Sequence, residues 1–436
     1  MIRPRQNDLL GRMMKKHQID AQEVLLADLC YPDQIGQYGI PAAGEPYTKD
    51  KNRYLRITDI SDDGLLLDVD KKGVSGEIDE RYFLSEGDVV FARTGNSTGR
   101  SYLYDKKDGR LVYAGFLIKY KLDPAKVNPR YIHYFTQSAY YKAWVKNLSV
   151  GSTRGNISAT TFAECPIYLP DRTRQDRLVD VLSAIDRKIA LNRKRIATLE
   201  AMAKEIYDYW FVQFDFPDAH GRPYKSSGGA MVYNPDLKRE IPKGWEVCEI
   251  GCLSEIKSGY PFRSDALIEN GVHGVITIKN VQDYQLDLSQ LCYINEIPEG
   301  MPDFCKVQNG ACLMSLTGYV GRICRVHKVG FLLNQRVGVV IPKVESREWL
   351  YAMLGEQGLR AKINYLATGC AQVNVSPVDI GKIRVPLPTS ELRNRYDEIA
   401  KYLMAEIFAC RKECDELASL RDFLLPVLMN GQVKVG

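Results

Sequence analysis

At 436 residues, with 45% hydrophobic and 26% charged side chains, the chain is long enough for two domains and a connector. No apolar stretch reaches the roughly 20 residues that span a bilayer, and the basic opening MIRPRQNDLLGRMMKKHQ lacks an apolar run ending in small residues. A membrane role and secretion are therefore not expected, and the cytoplasm is the expected compartment. The 11 cysteines are odd in number and irregularly spaced, so reduced thiols are expected rather than a disulfide framework. Cys248/Cys252 and Cys410/Cys414 lack a second pair of ligands at metal spacing, and the 5 histidines show none either.

The net charge of +5 is mild, but it is unevenly placed. Residues 1–92 carry 12 Lys/Arg against 17 Asp/Glu, whereas Arg93 to Arg154 carry 12 against 3. A basic segment of this kind is the electrostatic footprint of a polyanion partner.

In chain order, the first element with a clear signal is Asp88-Val89-Val90-Phe91-Ala92, a β-rich run bounded by Gly87 and a turn. It leads into the polar, Gly-rich loop Arg93-Thr94-Gly95-Asn96-Ser97-Thr98-Gly99-Arg100. Such a loop brings backbone N–H groups and Arg93, Thr94, Asn96, Ser97, Thr98 and Arg100 within reach of phosphates or base edges. The plainer alternative is a tight turn with a solvated arginine. Asn128 is a good N-cap with Pro129 at the first helical position. On the helix that follows, Lys142 and Lys146 offer positive charge, while Tyr140, Tyr141 and Trp144 fit the buried face of an amphipathic helix. Ser152-Thr153-Arg154-Gly155-Asn156 is a second candidate contact segment. Arg154 suits guanine in the major groove, and Asn156 fits the turn before the next strand.

After Pro170 the apolar positions run Leu178, Leu182, Ile185, Ile189, Asn192, Ile196, Leu199, Ala203, Ile206 and Trp210, in alternating steps of four and three. A 3.5-residue period sustained over more than four heptads predicts a coiled-coil seam. Asn192, a polar residue in that seam, is expected to fix register. The run Arg193-Lys194-Arg195 reads as a solvated face or a partner contact.

The second half then repeats the first. GSTRGNIS at Gly151–Ser158 returns 218 residues later as GCAQVNVS at Gly369–Ser376, and Ile167–Pro170 maps onto Val385–Pro388. Arg56–Ile60 likewise matches Thr277–Val281, with Lys279 as a candidate contact there. The loop ending in Arg100 matches Thr317-Gly318-Tyr319-Val320-Gly321-Arg322, which adds Thr317, Tyr319 and Arg322, and Gln372 stands where the first copy has Arg154. Gln suits adenine as Arg suits guanine. Val337–Ile341 predicts a strand and Ser346 a helix N-cap. The charge layout returns as well, with 8 basic and 3 acidic residues over Leu316–Gln372 against 4 and 7 over Lys257–Ser315. The seam recurs, less regularly, as Tyr396, Ala400, Leu403, Ile407, Cys410, Cys414, Leu417, Arg421, Leu424 and Leu428. A repeat of this size means two copies of one architecture. Their long helices are expected to bury their seams against each other, antiparallel, as a pair roughly 50 Å long at 1.5 Å per residue.

With these features in place the sequence resembles the specificity subunits of type I restriction–modification systems over nearly its whole length. The resemblance is carried by the repeat and by the central segment from Leu199-Glu200-Ala201-Met202-Ala203 through Trp210-Phe211-Val212-Gln213-Phe214-Asp215-Phe216 to GRPYKSSGGAMVYNPDLKREIPKGWE. It implies an α+β fold, with two mixed α/β target recognition domains in a pseudo-twofold arrangement joined by two long antiparallel coiled-coil helices. The expected boundaries are 1–170 and 213–388 for the recognition domains, and 171–212 and 389–436 for the helices. The resemblance further implies that each domain reads one half of a bipartite double-stranded DNA site. The helices, through Leu178, Leu182, Ile185, Ile189, Asn192, Ile196, Leu199, Leu403, Ile407, Leu417 and Leu424, set the spacing and dock two methyltransferase subunits. Restriction subunits join for cleavage, and S-adenosylmethionine belongs to the methyltransferase partners, so no cofactor is expected in this chain. An enzyme reading finds no Asp/Asn-Pro-Pro-aromatic motif, no Walker loop and no repeated acidic set. The alternative from another class is a coiled-coil scaffold with two protein-binding domains, which does not need the duplicated basic segments.

Overall fold

The computed structural model of the chain describes residues 21–68, 70–149, 156–368 and 373–430. By contacts the chain divides into two units, residues 1–189 with 416–436 and residues 190–415, so the division falls inside both long helices.

In the first unit, the run Asp88–Ala92 forms a strand buried along its whole length, its apolar residues Val89–Ala92 in the interior and the buried Asp88 facing Lys119 and Lys121 at 3.9 and 3.6 Å. It is central in an antiparallel sheet ordered Gln37–Tyr38, Leu117–Lys121, Asp88–Ala92, Ser101–Leu103. A second sheet runs Glu45–Pro46, Lys72–Val74, Asn52–Leu55, Leu111–Tyr113, its last pair parallel. The second unit repeats the plan. Val337–Pro342 and Cys312–Ser315 lie between Ser254–Ser258 and Ile323–Arg325, and in the other sheet His273–Ile276 pairs in parallel with Phe331–Leu333. In each unit a two-stranded ribbon brings the start of the domain to its end. Ala21–Leu25 pairs with Pro166–Pro170, and Glu246–Glu249 with Arg384–Leu387.

The helices that follow these ribbons are long. The central one spans Arg172–Tyr207 and continues as a π-helical turn, Asp208–Val212; the C-terminal one spans Ser390–Met429. Their pairing is antiparallel within each unit. In the first, Arg421 meets Asp186; in the second, Asn192 meets Glu413 and Arg195 meets Glu406. Leu178, Leu182, Ile185, Ile189 and Asn192 are buried, as are Leu403, Ile407 and Cys410, while Ile196, Leu199, Leu417 and Leu424 are half-buried.

The outer ends of the pair do not form an isolated seam. Leu178 and Leu182 share one core with Leu425, Leu428, Tyr131 and Phe162, and Tyr396 and Ala400 share another with Trp210, Phe211 and Trp349. A helix that also closes a domain core needs a wider apolar stripe than two positions in seven, and this is why Leu425 is buried more deeply than its seam neighbour Leu424.

Helix caps follow the sequence in one copy and depart from it in the other. Asn128 accepts from Arg130 N at 3.0 Å and donates through its amide to Asp176 Oδ1 at 2.7 Å. Ser346 makes no side-chain cap bond; the Trp349 N–H in that first turn goes instead to Asp397 Oδ1 of the C-terminal helix, at 2.8 Å. The expected local cap is thus replaced by a tertiary one, which ties the helix Arg347–Gly355 to the long helix beside it.

Candidate nucleic-acid interface

The strand ending at Ala92 delivers Arg93 to a crossing of three segments. Arg93 N donates to Phe116 O at 3.1 Å, and Arg93 O accepts from Ile157 N at 3.0 Å. The Arg93 guanidinium lies 5.0 Å from the Tyr38 ring centre, and Tyr38 and Phe116 are both exposed. Beyond it the loop makes a tight turn in which Thr98 Oγ1 donates to Gly95 O at 2.7 Å. Gly95 and Gly99 take φ of +72° and +86°, a region that favours glycine. Thr94 is half-buried, Asn96 is exposed, and Ser97 is buried.

Arg100 turns inward. Its Nε donates to Asp62 Oδ1 at 2.7 Å and its Nη1 to Ile60 O at 3.1 Å. Arg322, its partner in the second copy, also turns inward, to Gln282 Oε1 at 2.7 Å and towards Asp283 Oδ2 at 3.6 Å. Both arginines therefore brace the loop from beneath, with Asp62 and Asp283 in equivalent places.

In the second unit Thr317 is buried and its Oγ1 lies 2.9 Å from Asn374 Oδ1. Gly318 N donates to Val373 O at 2.8 Å, and Thr368 and Asn374 exchange backbone bonds of 2.9 and 2.8 Å. The two candidate segments are thus brought together, because the Gly-rich loop holds one stem of the chain that carries Gln372. Residues Ser152, Thr153 and Arg154, and Gln372 itself, lie outside the described residues. Around the stem stand exposed side chains, Tyr319 at 72% and Tyr365 at 90% exposure, and Val373 on the stem itself is exposed as well. Lys279 is exposed on the neighbouring loop.

The matching backbone bonds set the two copies in register. Leu316 N donates to Arg336 O at 3.0 Å where the first copy has Arg93 and Phe116, and Val375 N donates to Leu316 O at 3.0 Å. Arginine and apolar residue have exchanged places on one frame, Arg93 beside Phe116 against Leu316 beside Arg336. Tyr38, Phe116, Arg336, Tyr365 and Val373 were not singled out from the sequence. An aromatic residue in a β-rich run reads as core, and only the fold reveals that these are exposed.

The basic segments are less uniformly outward than their composition implies. Lys119 is buried, donates to Arg81 O at 3.0 Å and lies 3.9 Å from Asp88; burial pushes its pKa down. Arg325 pairs with Glu348 at 2.6 Å, and Arg360 with Asp283 at 2.6 Å. Lys142, Lys146 and Lys362 face outward, whereas Tyr141 is buried and Trp144 half-buried, in line with a core role for the aromatics. Among the described residues no helix is long and apolar enough to cross a membrane.

Two units of one plan, each with a braced loop and a tethered neighbouring segment, match a known class. The family described as the type I restriction modification DNA specificity domain matches residues 20–201 and 242–405. The chain belongs to that family of specificity subunits, whose role is to confer DNA sequence specificity.

Among its relatives is the type I restriction enzyme MjaIX specificity subunit of Methanocaldococcus jannaschii, 26% identical over 314 residues, covering 70% of this chain and 69% of the relative. Another is the HindI specificity subunit of Haemophilus influenzae, 21% identical over 406 residues, covering 80% and 87%. The fold is also similar to the crystal structure of a type I restriction–modification S subunit from M. genitalium, with a TM-score of 0.54, 17% identity, and 94% and 96% of the two chains covered.

Proposed function

We propose that each of the two units reads one half of a bipartite double-stranded DNA target. On this reading the loops at Arg93–Thr98 and Thr317–Tyr319, with Lys279 and the segments carrying Ser152, Thr153, Arg154 and Gln372, face the DNA. Arg100 and Arg322 hold those loops in shape. The observation that carries the reading is the shared backbone frame on which the exposed side chains of Phe116 and Arg336 occupy equivalent positions, beside Arg93 in one copy and the buried Leu316 in the other. Fixed frames with exchanged side chains are what two half-sites of different sequence require, since phosphate contacts position a protein and side chains at base edges specify the sequence. A scaffold binding two protein partners does not call for tethered polar loops of this kind.

The chain supplies address and no chemistry. Two methyltransferase subunits, which use S-adenosylmethionine, dock on the paired helices, and restriction subunits join for cleavage in the cytoplasm. The test is a segment exchange, in which residues 213–388 are replaced by the equivalent segment of a relative and adenine methylation is mapped genome-wide. One half of the methylated motif should change while the other is kept. A change in both halves at once contradicts the modular reading.

A further inference from the structure

Each unit contains an arginine from the C-terminal helix that reaches two things at once. In the first, the Arg421 guanidinium meets Asp186 of the central helix at 3.3 Å and Asp63 of the recognition domain at 3.6 Å. Asp186 is itself held by the Tyr134 hydroxyl at 2.7 Å. In the second, Arg411 pairs with Glu200 of the central helix at 2.5 Å and donates to Tyr284 O at 3.0 Å. By the match of Arg56–Ile60 with Thr277–Val281, Asp63 and Tyr284 are equivalent positions. The residue before each, Asp62 or Asp283, is the one that braces Arg100 or Arg322 of the proposed DNA-facing loop.

Duplication alone does not produce this arrangement. Arg421 and Arg411 lie at different places on one helix, and the positions 218 residues before them hold Ala203 and Arg193, the latter exposed. The same linkage, from helix pair to loop to brace, is made twice with different residues. In the sequence Arg421 looks like a flaw in the seam; in the fold its side chain is 18% exposed and linked to both elements.

We infer that Arg421 and Arg411 are positioning residues that lock each recognition surface in one pose on its own stretch of the helix pair, and that the precision of half-site spacing depends on them. The inference rests on the reading that each unit contacts one half-site. A forked guanidinium is suited to the task, because it can hold two acceptors in fixed directions where an ammonium is a point charge.

The test uses the full chain with its partner subunits in cells, read by genome-wide adenine methylation and by thermal unfolding of the purified protein. Arg421→Ala and Arg411→Ala should each lower methylation at sites of the native spacing relative to sites one base pair longer or shorter, by roughly fivefold as befits a part-exposed ion pair. The bases of both half-sites should be retained. Arg421→Lys should restore the native ratio only in part. Where Arg421→Ala does not fold, Asp63→Asn removes the domain end of the link while leaving the Arg421–Asp186 pair, and should loosen spacing in the same way. A folded Arg421→Ala or Asp63→Asn protein with native spacing preference overturns the inference. Arg154→Ala run in parallel separates the two claims. If it alters neither half-site, the DNA-facing assignment of that segment fails while a spacing change in Arg421→Ala still supports the link. If Arg154→Ala alters one half-site and Arg421→Ala leaves spacing untouched, the link alone is wrong.

Discussion

His133 sits in the helix Pro129–Phe135 near the same Asp186 and Asp63, and burial pushes its pKa from 6.5 down to about 4. The carboxylates of Asp186 and Asp63 pull the value up, but burial, joined by Arg130 and Arg421, outweighs them. The folded state therefore keeps His133 neutral at a pH where the unfolded chain takes up a proton. Its contribution is intact above about pH 6.5 and is lost progressively as pH falls towards 4, at up to about 1.4 kcal/mol per pH unit for one proton. His133→Gln, which does not titrate, should flatten the fall of the melting temperature across this window whatever it does at pH 7.5. A slope identical to the parent's means that His133 is not the group responsible. The environment of His133 was invisible in the sequence, because its neighbours come from positions 63, 186 and 421, and only folding brings them together. The fate of Arg100 and Arg322 was hidden for the same reason. Their Gly-rich loops were legible from composition, but the inward turn depends on Asp62 and Asp283, about 40 residues away.

The long helices were the most legible elements, since a 3.5-residue period is written in residue identity along a continuous stretch. What the period could not give was the point at which the seam merges with a domain core. That depends on Phe162, Trp349 and other side chains remote in sequence. Nor could it give the tertiary cap from Asp397. Asn192 was legible as a polar seam residue, and its partner Glu413 on the opposite helix now defines the register. Asn192 is 3% exposed and its amide donates at 2.7 Å. Asn192→Leu deprives Glu413 of this donor in a half-buried position, at an expected cost of about 1–2 kcal/mol. Asn192→Leu with Glu413→Leu replaces both by apolar groups and should recover most of that loss, while loosening the register. Denaturant unfolding of the two variants checks both statements. A single variant as stable as the parent removes the case for a structural polar pair.

At the scale of the whole chain, the proposal that the helix pair sets half-site spacing leads to a length test, and the observed register says where to make it. Repeat equivalence alone pairs Asn192 with Cys410, but across the seam Asn192 faces Glu413. One heptad should therefore be added between Ile189 and Ala190 and another between Asp415 and Glu416, where the contact division falls in both helices. These sites leave the Arg421–Asp186 and Arg411–Glu200 links whole, and a seven-residue insertion preserves the 3.5 period and so the pairing of the seams. Seven residues at 1.5 Å lengthen each helix by roughly 10 Å, about three base pairs at 3.4 Å. The preferred spacer should lengthen by that amount. Three base pairs also rotate one half-site by roughly 100° on a duplex of about 10.5 pairs per turn, so affinity should fall unless the DNA twists to compensate. Insertion in one helix alone offsets the seams and should be worse than insertion in both. Mapping methylated adenines in cells carrying each variant reads the outcome directly. A symmetric insertion variant that folds, remains active and methylates the original motif at its original spacing excludes the helix pair as the ruler, and leaves the spacing to be set within the recognition domains themselves.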